Sequence, residues 1–299
     1  MLLKGSWIYM SIKCFAELKQ KALEINEQFK VVGIWPDVET IKTAEQAKNI
    51  GLADFTFVFH EKIPGFPTIV VPNPQIALET GIDLVIRNEV DTLMKGLINT
   101  SLFLKVLIKS KLIKGWVSHT SVLEIPNLDK LIIVTDGTVT PNPSIEQKIE
   151  IIKNAVLCAK VLEITMPKVA LLSANEWITP NLSSTYDAAL ITKMFERGQI
   201  ECEALVDGPV SVDLALSEKS ALKKRVALRF DPPADILMAP DLESAAFLIK
   251  SAVYIGKVSV AGVLWGMMSP VVLTSRSDNC GSRVISLCIA KIARGVIDS

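Results

Sequence analysis

Histidine is nearly absent, with two in 299 residues, and the five cysteines (Cys14, Cys158, Cys202, Cys280, Cys288) are odd in number, widely spaced and without a C-x-x-C pair. Neither pattern fits a structural zinc site or a disulfide framework, and a reduced, cytoplasmic protein is expected. The chain also lacks an excess of either charge, with 32 Lys+Arg against 32 Asp+Glu. A protein that neutralises the phosphates of a nucleic acid carries a surplus of Lys and Arg, so a nucleic-acid partner is excluded. No stretch is low in complexity and 49% of the residues are apolar, which excludes disorder. G-x-G-x-x-G, G-x-x-x-x-G-K-[ST] and G-x-S-x-G are all missing, removing the dinucleotide fingerprint, the P-loop and the nucleophile elbow. The one D-x-x-x-D, Asp231 to Asp235, encloses two prolines and reads as a loop, so no metal site is expected.

Long apolar runs are scarce too. Val258 to Ser275 has 18 residues without a charge, the lower limit for a membrane span, but Gly262, Gly266 and Pro270 divide it into VSVAGVLW and PVVLT. These two runs fit buried parallel strands, and no membrane association is expected. The start, MLLKGSWIYM, has no long apolar core followed by a small-residue cleavage site, so it does not read as a signal peptide, and Met10 is as good a start as Met1.

What is present is regular alternation. At roughly 100–200 residues per domain the length predicts two domains. Apolar runs at 131–135, 168–172, 203–206, 234–239 and 260–265 are each followed by a polar or Gly/Pro turn and a helical pattern. Earlier, 11–29 reads as a helix, VVGIW, FTFVF and TIVV as strands, and 75–86 and 100–113 as helices, with PNLD (126–129) as the hinge. This predicts an α/β protein with mostly parallel sheet, and ligands then bind beyond the carboxyl ends of the strands. The residues in that position are Asp136, Gly137, Ser173, Asp207, Gly208, Asp241, Ser275 and Arg276.

Two segments carry candidate chemistry. In PVVLTSRSDNCGSRVISLCIAKIARG, a strand expected to end at Thr274 is followed by Ser275, Arg276, Ser277 and Asp278 and then a helix with a stripe of Val284, Ile285, Cys288, Ile289 and Ile292. Hydroxyls, free backbone N–H groups and a guanidinium at a helix N-terminus suit an anion, whereas the plainer reading makes Asp278 an N-cap and Arg276 a surface charge. In LMKGLINTSLFLK, Lys95 and Lys105 flank Thr100 and Ser101, which either cap a helix or join the lysines around an anion. His60 and His119 have no cysteine or carboxylate at metal-ligand spacing, and a buried, hydrogen-bonded His is the expectation for each. Cys280 has no neighbouring His to make it a nucleophile.

With these residues in view the chain resembles the phosphate acetyl/butyryltransferase family over roughly residues 11–295, and its butyryltransferase branch more closely. Seven blocks occur in the family's order: LMKGLINTSLFLK, VSHTSVLEIPNLDKLIIVTDG, PNPSIEQKIEIIKNAV, KVALLSANEWITPNLSSTYDAALITKMFERGQI, ALVDGP, ADILMAPDLESA and SPVVLTSRSD. The resemblance implies reversible transfer of a short acyl group, butyryl or acetyl, between coenzyme A and inorganic phosphate. It implies a two-domain, three-layer αβα fold similar to isocitrate and isopropylmalate dehydrogenases. Residues 1–127 with 266–299 would form the first domain, and 128–265 the second, which would make the contact in a homodimer or higher homo-oligomer. Acyl-CoA and phosphate are the partners implied, with coenzyme A a substrate and no permanently bound cofactor.

Carried over by position, Ser275 and Arg276 match the family's catalytic Ser-Arg pair, and Thr100 and Lys105 its phosphate-binding turn and helix, with Lys95 beside them. Lys105 stands where many relatives have Arg, which keeps the charge but loses the bidentate fork. Ser282 stands where the acetyl branch has an Asp, and Asp278, matching the butyryl branch, is the candidate to handle the thiol proton. Thr138 replaces a usual Gly. Trp265, Met267 and Met268 are expected to line the acyl pocket, although such groups after a strand are more often core. Two rival readings are a dehydrogenase of the same fold, disfavoured by the missing helical Asp cluster and arginine cluster, and a diverged scaffold or regulator, for which the substitutions at Lys105, Thr138 and Ser282 leave room.

Overall fold

The computed structural model describes residues 11–297; the alternative starts at Met1 and Met10 and the leading segment lie outside them. In chain order the elements are α1 (Phe15–Glu24), β1 (Lys30–Ile34), α2 (Val38–Asn49), β2 (Asp54–Phe59), β3 (Thr68–Val70), α3 (Pro74–Ile86), β4 (Thr92–Lys95), α4 (Thr100–Ile108) and β5 (Ile113–Glu124). They continue with β6 (Leu131–Thr135), α5 (Ile145–Val161), β7 (Lys168–Leu172), α6 (Ser183–Glu196), β8 (Leu205–Val210), α7 (Val212–Leu216), α8 (Glu218–Lys224), β9 (Ile236–Met238), α9 (Leu242–Tyr254), β10 (Ser259–Met267), β11 (Val271–Val272) and α10 (Cys280–Ile297). Local signals place many of the helix starts. Asp37, Asn73 and Asp241 accept backbone N–H groups at the starts of α2, α3 and α9, Pro74 occupies the first turn of α3, and Ser144 and Gln147 form a capping box on α5.

The strands form one sheet in the order β3-β2-β1-β4-β11-β10-β5-β6-β9-β7-β8. Only β11–β10, β10–β5 and β5–β6 are antiparallel. The expected parallel pairing of VSVAGVLW and PVVLT is therefore corrected: the three residues between β10 and β11 are too few for the crossover that parallel neighbours need. Other ends are corrected as well, since α1 stops at Glu24 and α4 at Ile108.

The odd number of antiparallel steps makes the parallel strands on the two sides of the β5–β10 ribbon run in opposite directions. Register then brings their carboxyl ends together. Thr135 at the end of β6 pairs with Thr120, Thr120 with Val263, Val263 with Val272, and Val272 with Met94 in β4. Strands β4 and β11 reach this row from one side and β6 from the other, so both sets of loops meet over the middle of the ribbon.

Packing marks the same place. One face of the sheet carries a continuous apolar cluster under α1, α2, α5, α6 and α10. The other face carries two, one under α3 and α4 and one under α7, α8 and α9. Along β5 the residues facing this side are Val117 in the first cluster, His119, Ser121, and Leu123 in the second. Along β10 they are Val260, Gly262 and Leu264. The gap between the clusters is thus floored by His119, Ser121 and Gly262.

Candidate active site

A cavity of about 370 Å³ fills that gap. Its walls come from the turn after β11 (Leu273 to Asp278), Thr100 at the start of α4, Gly137 and Thr138 after β6, and one side of α9. Of the eight post-strand residues predicted from sequence, Gly137, Ser275 and Arg276 line this cavity. Ser173 and Asp241 line a different hollow, where the Lys148 ammonium is held by Asp187 at 2.6 Å, and Asp207 accepts the N–H groups of Gly208 and Arg229.

The turn after β11 is built by its own side chains. Asp278 accepts the Ser275 N–H at 2.7 Å, and the Ser275 carbonyl accepts the Asp278 N–H at 3.1 Å. Asp278 is not the helix cap: Asn279 accepts the Ser282 N–H at 3.0 Å in that role. The Ser275 and Ser277 hydroxyls lie 2.9 Å apart, so if Ser277 donates, the Ser275 proton is left for a ligand. Burial raises the Asp278 carboxyl above its ordinary range, against the opposing effects of the Ser275 N–H, Arg283 and His119. Arg276 is exposed at the cavity, and among the described residues its guanidinium has no hydrogen bond or ion pair.

Lys95, the last residue of β4, is expected in the phosphate site but is not among the residues lining the cavity; it is 3% exposed, with one long bond to the Gly96 carbonyl (3.3 Å). Burial, reinforced by Arg276 and Arg283, lowers it to about 8, and Asp37 opposes this. Asp37 is itself committed to Arg283, with contacts of 2.9 and 3.3 Å. A buried ammonium next to two guanidiniums and one shared carboxylate is short of negative charge, the condition an anion relieves.

Thr100 lines the cavity because it is not needed as a cap: Asn99 accepts the N–H groups of Ser101 and Leu102. Lys105 is corrected. It follows Thr100 by five residues, about 140° around the helix, and lies in a separate groove beside Glu79 and Asp83 of α3. The expected acyl-pocket residues are corrected too. Trp265 is 1% exposed on the opposite face of the sheet, where its Nε1–H donates to the Thr120 hydroxyl at 2.8 Å. Met267 is buried under α3 and α4 beyond an irregularity in β10, and Met268, partly exposed, lines no part of the cavity. Strand alternation puts Gly262, not Trp265, on the cavity side.

His119 and Ser121 were missed as site residues. The signal was VSHTS, four consecutive polar residues in a strand that is buried from Val117 onward. Alternation sends Ser118 and Thr120 to one face, where they bond Asn154 and Trp265, and His119 and Ser121 to the cavity. His119 Nε2 faces the Leu273 carbonyl at 2.9 Å and therefore carries the proton; Nδ1 is buried without a partner, and burial holds the ring below its ordinary pKa. The imidazole packs on Gly262, where a Cβ would lie 2.7 Å from Nε2. Asp136, also buried, accepts the N–H groups of His119, Thr138, Val139 and Thr140 and so joins β5 to the loop bearing Gly137. His60, expected to be buried, is instead exposed, with its ring tilted against Phe59 and Trp35 away from the cavity.

Among the described residues no cluster of His, Cys, Asp or Glu can hold a metal, and no helix is long and apolar enough to cross a membrane. The Cys280 thiol donates to Gln46 at 2.9 Å, and Cys158 and Cys288 are buried, their thiols pushed up to about 12.

Residues 68–291 match the family model described as phosphate acetyl/butaryl transferase. The phosphate butyryltransferase of Clostridium acetobutylicum is 33% identical over an alignment spanning 95% of this chain and 99% of that protein. A branched-chain phosphotransacylase from Enterococcus faecalis is similar in structure, with a TM-score of 0.81 at 30% identity over 89% of this chain and 98% of its own. A 4-hydroxythreonine-4-phosphate dehydrogenase from Klebsiella pneumoniae, 11% identical with a TM-score of 0.52 over 91% of this chain and its whole length, shares the fold alone.

Proposed function

The chain belongs to the phosphate acetyl/butyryltransferase family and is a phosphate acyltransferase, and from that premise we propose that it moves a short-chain acyl group from coenzyme A to inorganic phosphate by direct attack in a ternary complex. The observation that carries this reading is the Arg276 guanidinium, without a hydrogen bond or ion pair among the described residues, beside Thr100 and Ser275 in one cavity, with the buried Lys95 ammonium, only partly offset by Asp37, acting on Arg276. Phosphate bound there is held against a thioester whose carbonyl lies within reach of Ser275. Holding two reactants in line supplies roughly 7–11 kcal/mol of the barrier.

The phosphate oxygen adds to the thioester carbon, and the carbonyl electrons move to oxygen. The Ser275 hydroxyl donates to that oxyanion, a contact worth about 3–4 kcal/mol where such donors have been removed. The Ser275 N–H, already bonded to Asp278, does not. Collapse breaks the carbon–sulfur bond and releases acyl phosphate and thiolate. Asp278, its carboxyl raised by burial, delivers the thiol proton, and in the reverse direction takes it. No covalent acyl-enzyme is needed, and the Cys280 thiol, bonded to Gln46, is not among the residues lining the cavity.

An adjoining hollow of about 590 Å³ shares Val253, Tyr254, Val260, Ser277 and Asp278 with the cavity and is lined by Lys19 and Lys257, which supports placing the long, phosphate-bearing arm of coenzyme A there. The same reading keeps residues 1–127 with 266–299 and residues 128–265 as the two domains, in a cytoplasmic homodimer or higher homo-oligomer joined through the second. Trp177, Ile178, Tyr186 and Leu190, apolar and exposed on that part, support such a contact. Arg276→Ala tests the reading: phosphate-dependent thiol release from acyl-CoA should fall by about two orders of magnitude or more, with thermal unfolding unchanged. Wild-type kinetics in that variant would remove the assignment.

A further inference from the structure

With Trp265 and Met267 sealed in the core, the apolar lining of the cavity comes from α9 together with Val260 and Leu273. We propose that this helix face, with Ile249 at its centre, is the wall that holds the acyl chain and limits its length; the proposal rests on the acyl-transfer reading above. Ala246, Ile249 and Val253 recur at i, i+3 and i+7, one stripe of a helix, and all three are half-buried while lining the cavity that also holds Ser275 and Arg276. The two substrates thus meet different elements. Thr100, Ser275 and Arg276, from the loops after β4 and β11, face the phosphate, and α9 supplies the alkyl stripe, with Lys250 and Tyr254 of the same helix beside it at the cavity.

The cavity also has a closed and an open end along this helix. At the Ala246 end, a Cβ built on Gly137 would lie 2.9 Å from Ile249 Cδ1 and 3.4 Å from the Ala246 nitrogen, so the Gly137 backbone and the helix shut the space between them. At the Val253–Tyr254 end the cavity opens into the hollow lined by Lys19 and Lys257. A thioester entering from the open end points its acyl chain at Ile249, whose branched side chain stands at the closed end beside Gly137.

The test is kcat/KM for acetyl-, butyryl- and hexanoyl-CoA, read by phosphate-dependent thiol release, in the wild type and in Ile249→Val, Ile249→Ala, Ile249→Phe and Met267→Leu. Because one methylene discriminates by about 10- to 200-fold in a close-fitting pocket, Ile249→Ala should raise the hexanoyl-to-acetyl ratio by about tenfold or more. Ile249→Val should move it the same way by less, and Ile249→Phe should lower the butyryl-to-acetyl ratio. The KM for phosphate should stay within about twofold throughout, and Met267→Leu should leave the ratios unchanged. Ile249 packs partly on the core, so unfolding curves accompany each variant, and opposite changes from smaller and larger side chains exclude a general loosening. Folded, active variants with the wild-type ratios, or an equal change in Met267→Leu, would overturn the assignment of the wall. A wild type that releases no thiol from any acyl-CoA in the presence of phosphate would overturn the acyl-transfer reading itself.

Discussion

Lys95→Met removes a buried ammonium whose one hydrogen bond among the described residues is to the Gly96 carbonyl. Burial, Arg276 and Arg283 lower this lysine from 10.5 to about 8. At about 1.4 kcal/mol per pH unit, that fall corresponds to roughly 3 kcal/mol of unfavourable interaction with the charged form. The folded protein carries this cost below about pH 8, whereas the unfolded chain titrates near 10.5. Between those values the unfolded state binds more protons, so stability without phosphate rises with pH across that window. Replacing the cation with a side chain of similar length and no charge should therefore stabilise the ligand-free protein at neutral pH by about 1–3 kcal/mol. A bound phosphate dianion reverses the balance, because it favours the charged lysine. In the wild type the KM for phosphate should be level below about pH 8 and rise up to tenfold per pH unit above it; in Lys95→Met it should be high throughout, without the Lys95 inflection. Phosphate titrations of thiol release from about pH 7 to 9.5, with urea unfolding of both proteins, measure each part. A level wild-type KM over that range, or a Lys95→Met protein that is less stable and binds phosphate normally, would refute the reasoning.

Asp278→Asn should lower the reverse reaction, in which a thiol proton must be removed, by about 10²-fold, and abolish its acidic pH limb. That limb lies above the ordinary carboxylate range in the wild type because burial raises Asp278; an unchanged pH profile in the variant would assign the proton elsewhere. His119→Gln, which can still offer an N–H to the Leu273 carbonyl, should retain more activity than His119→Asn, whose amide mimics only the unpartnered Nδ1 side. Equal turnover in the two would deny that this bond positions the Ser275–Arg276 turn. Lys105→Ala should change the KM for phosphate by less than about twofold, since Lys105 lies in the groove beside Glu79 and Asp83; a larger rise in phosphate titrations would return it to the site.

The legible parts were those governed by local rules. LIIVT and KVALL form strands at the predicted residues, and the turn from Ser275 to Asp278 stands between β11 and α10 as the apolar pattern required. Thr100 and Arg276 reach one cavity although 176 positions separate them. The failures have specific causes. Lys105 shares a helix with Thr100, but sequence proximity says nothing of the angle around that helix once Asn99 has set where it starts. Trp265 reads as a residue near the cleft because it closes an apolar run in a block that the family resemblance sets at the cleft; only strand parity assigns it to the far face. His119 was assigned to the core by default, and it is buried, yet its face of β5 is the one left open between two apolar clusters.

The sequence by itself determined the α/β class and the blocks that identify the family, because periodicity and ordered motifs are properties of neighbouring residues. The tertiary structure decided where charge and apolar surface face each other. The overall charge balance of 32 against 32 conceals a buried Lys95 next to Arg276 and Arg283, with Asp37 as the carboxylate that acts on it, since burial and pairing register depend on strands far apart in the chain. The acyl wall proposed on α9 depends on the same physics. A helix shows its apolar stripe in the sequence, but whether that stripe meets core or cavity is set by what lies opposite, here Gly137 and the gap above His119.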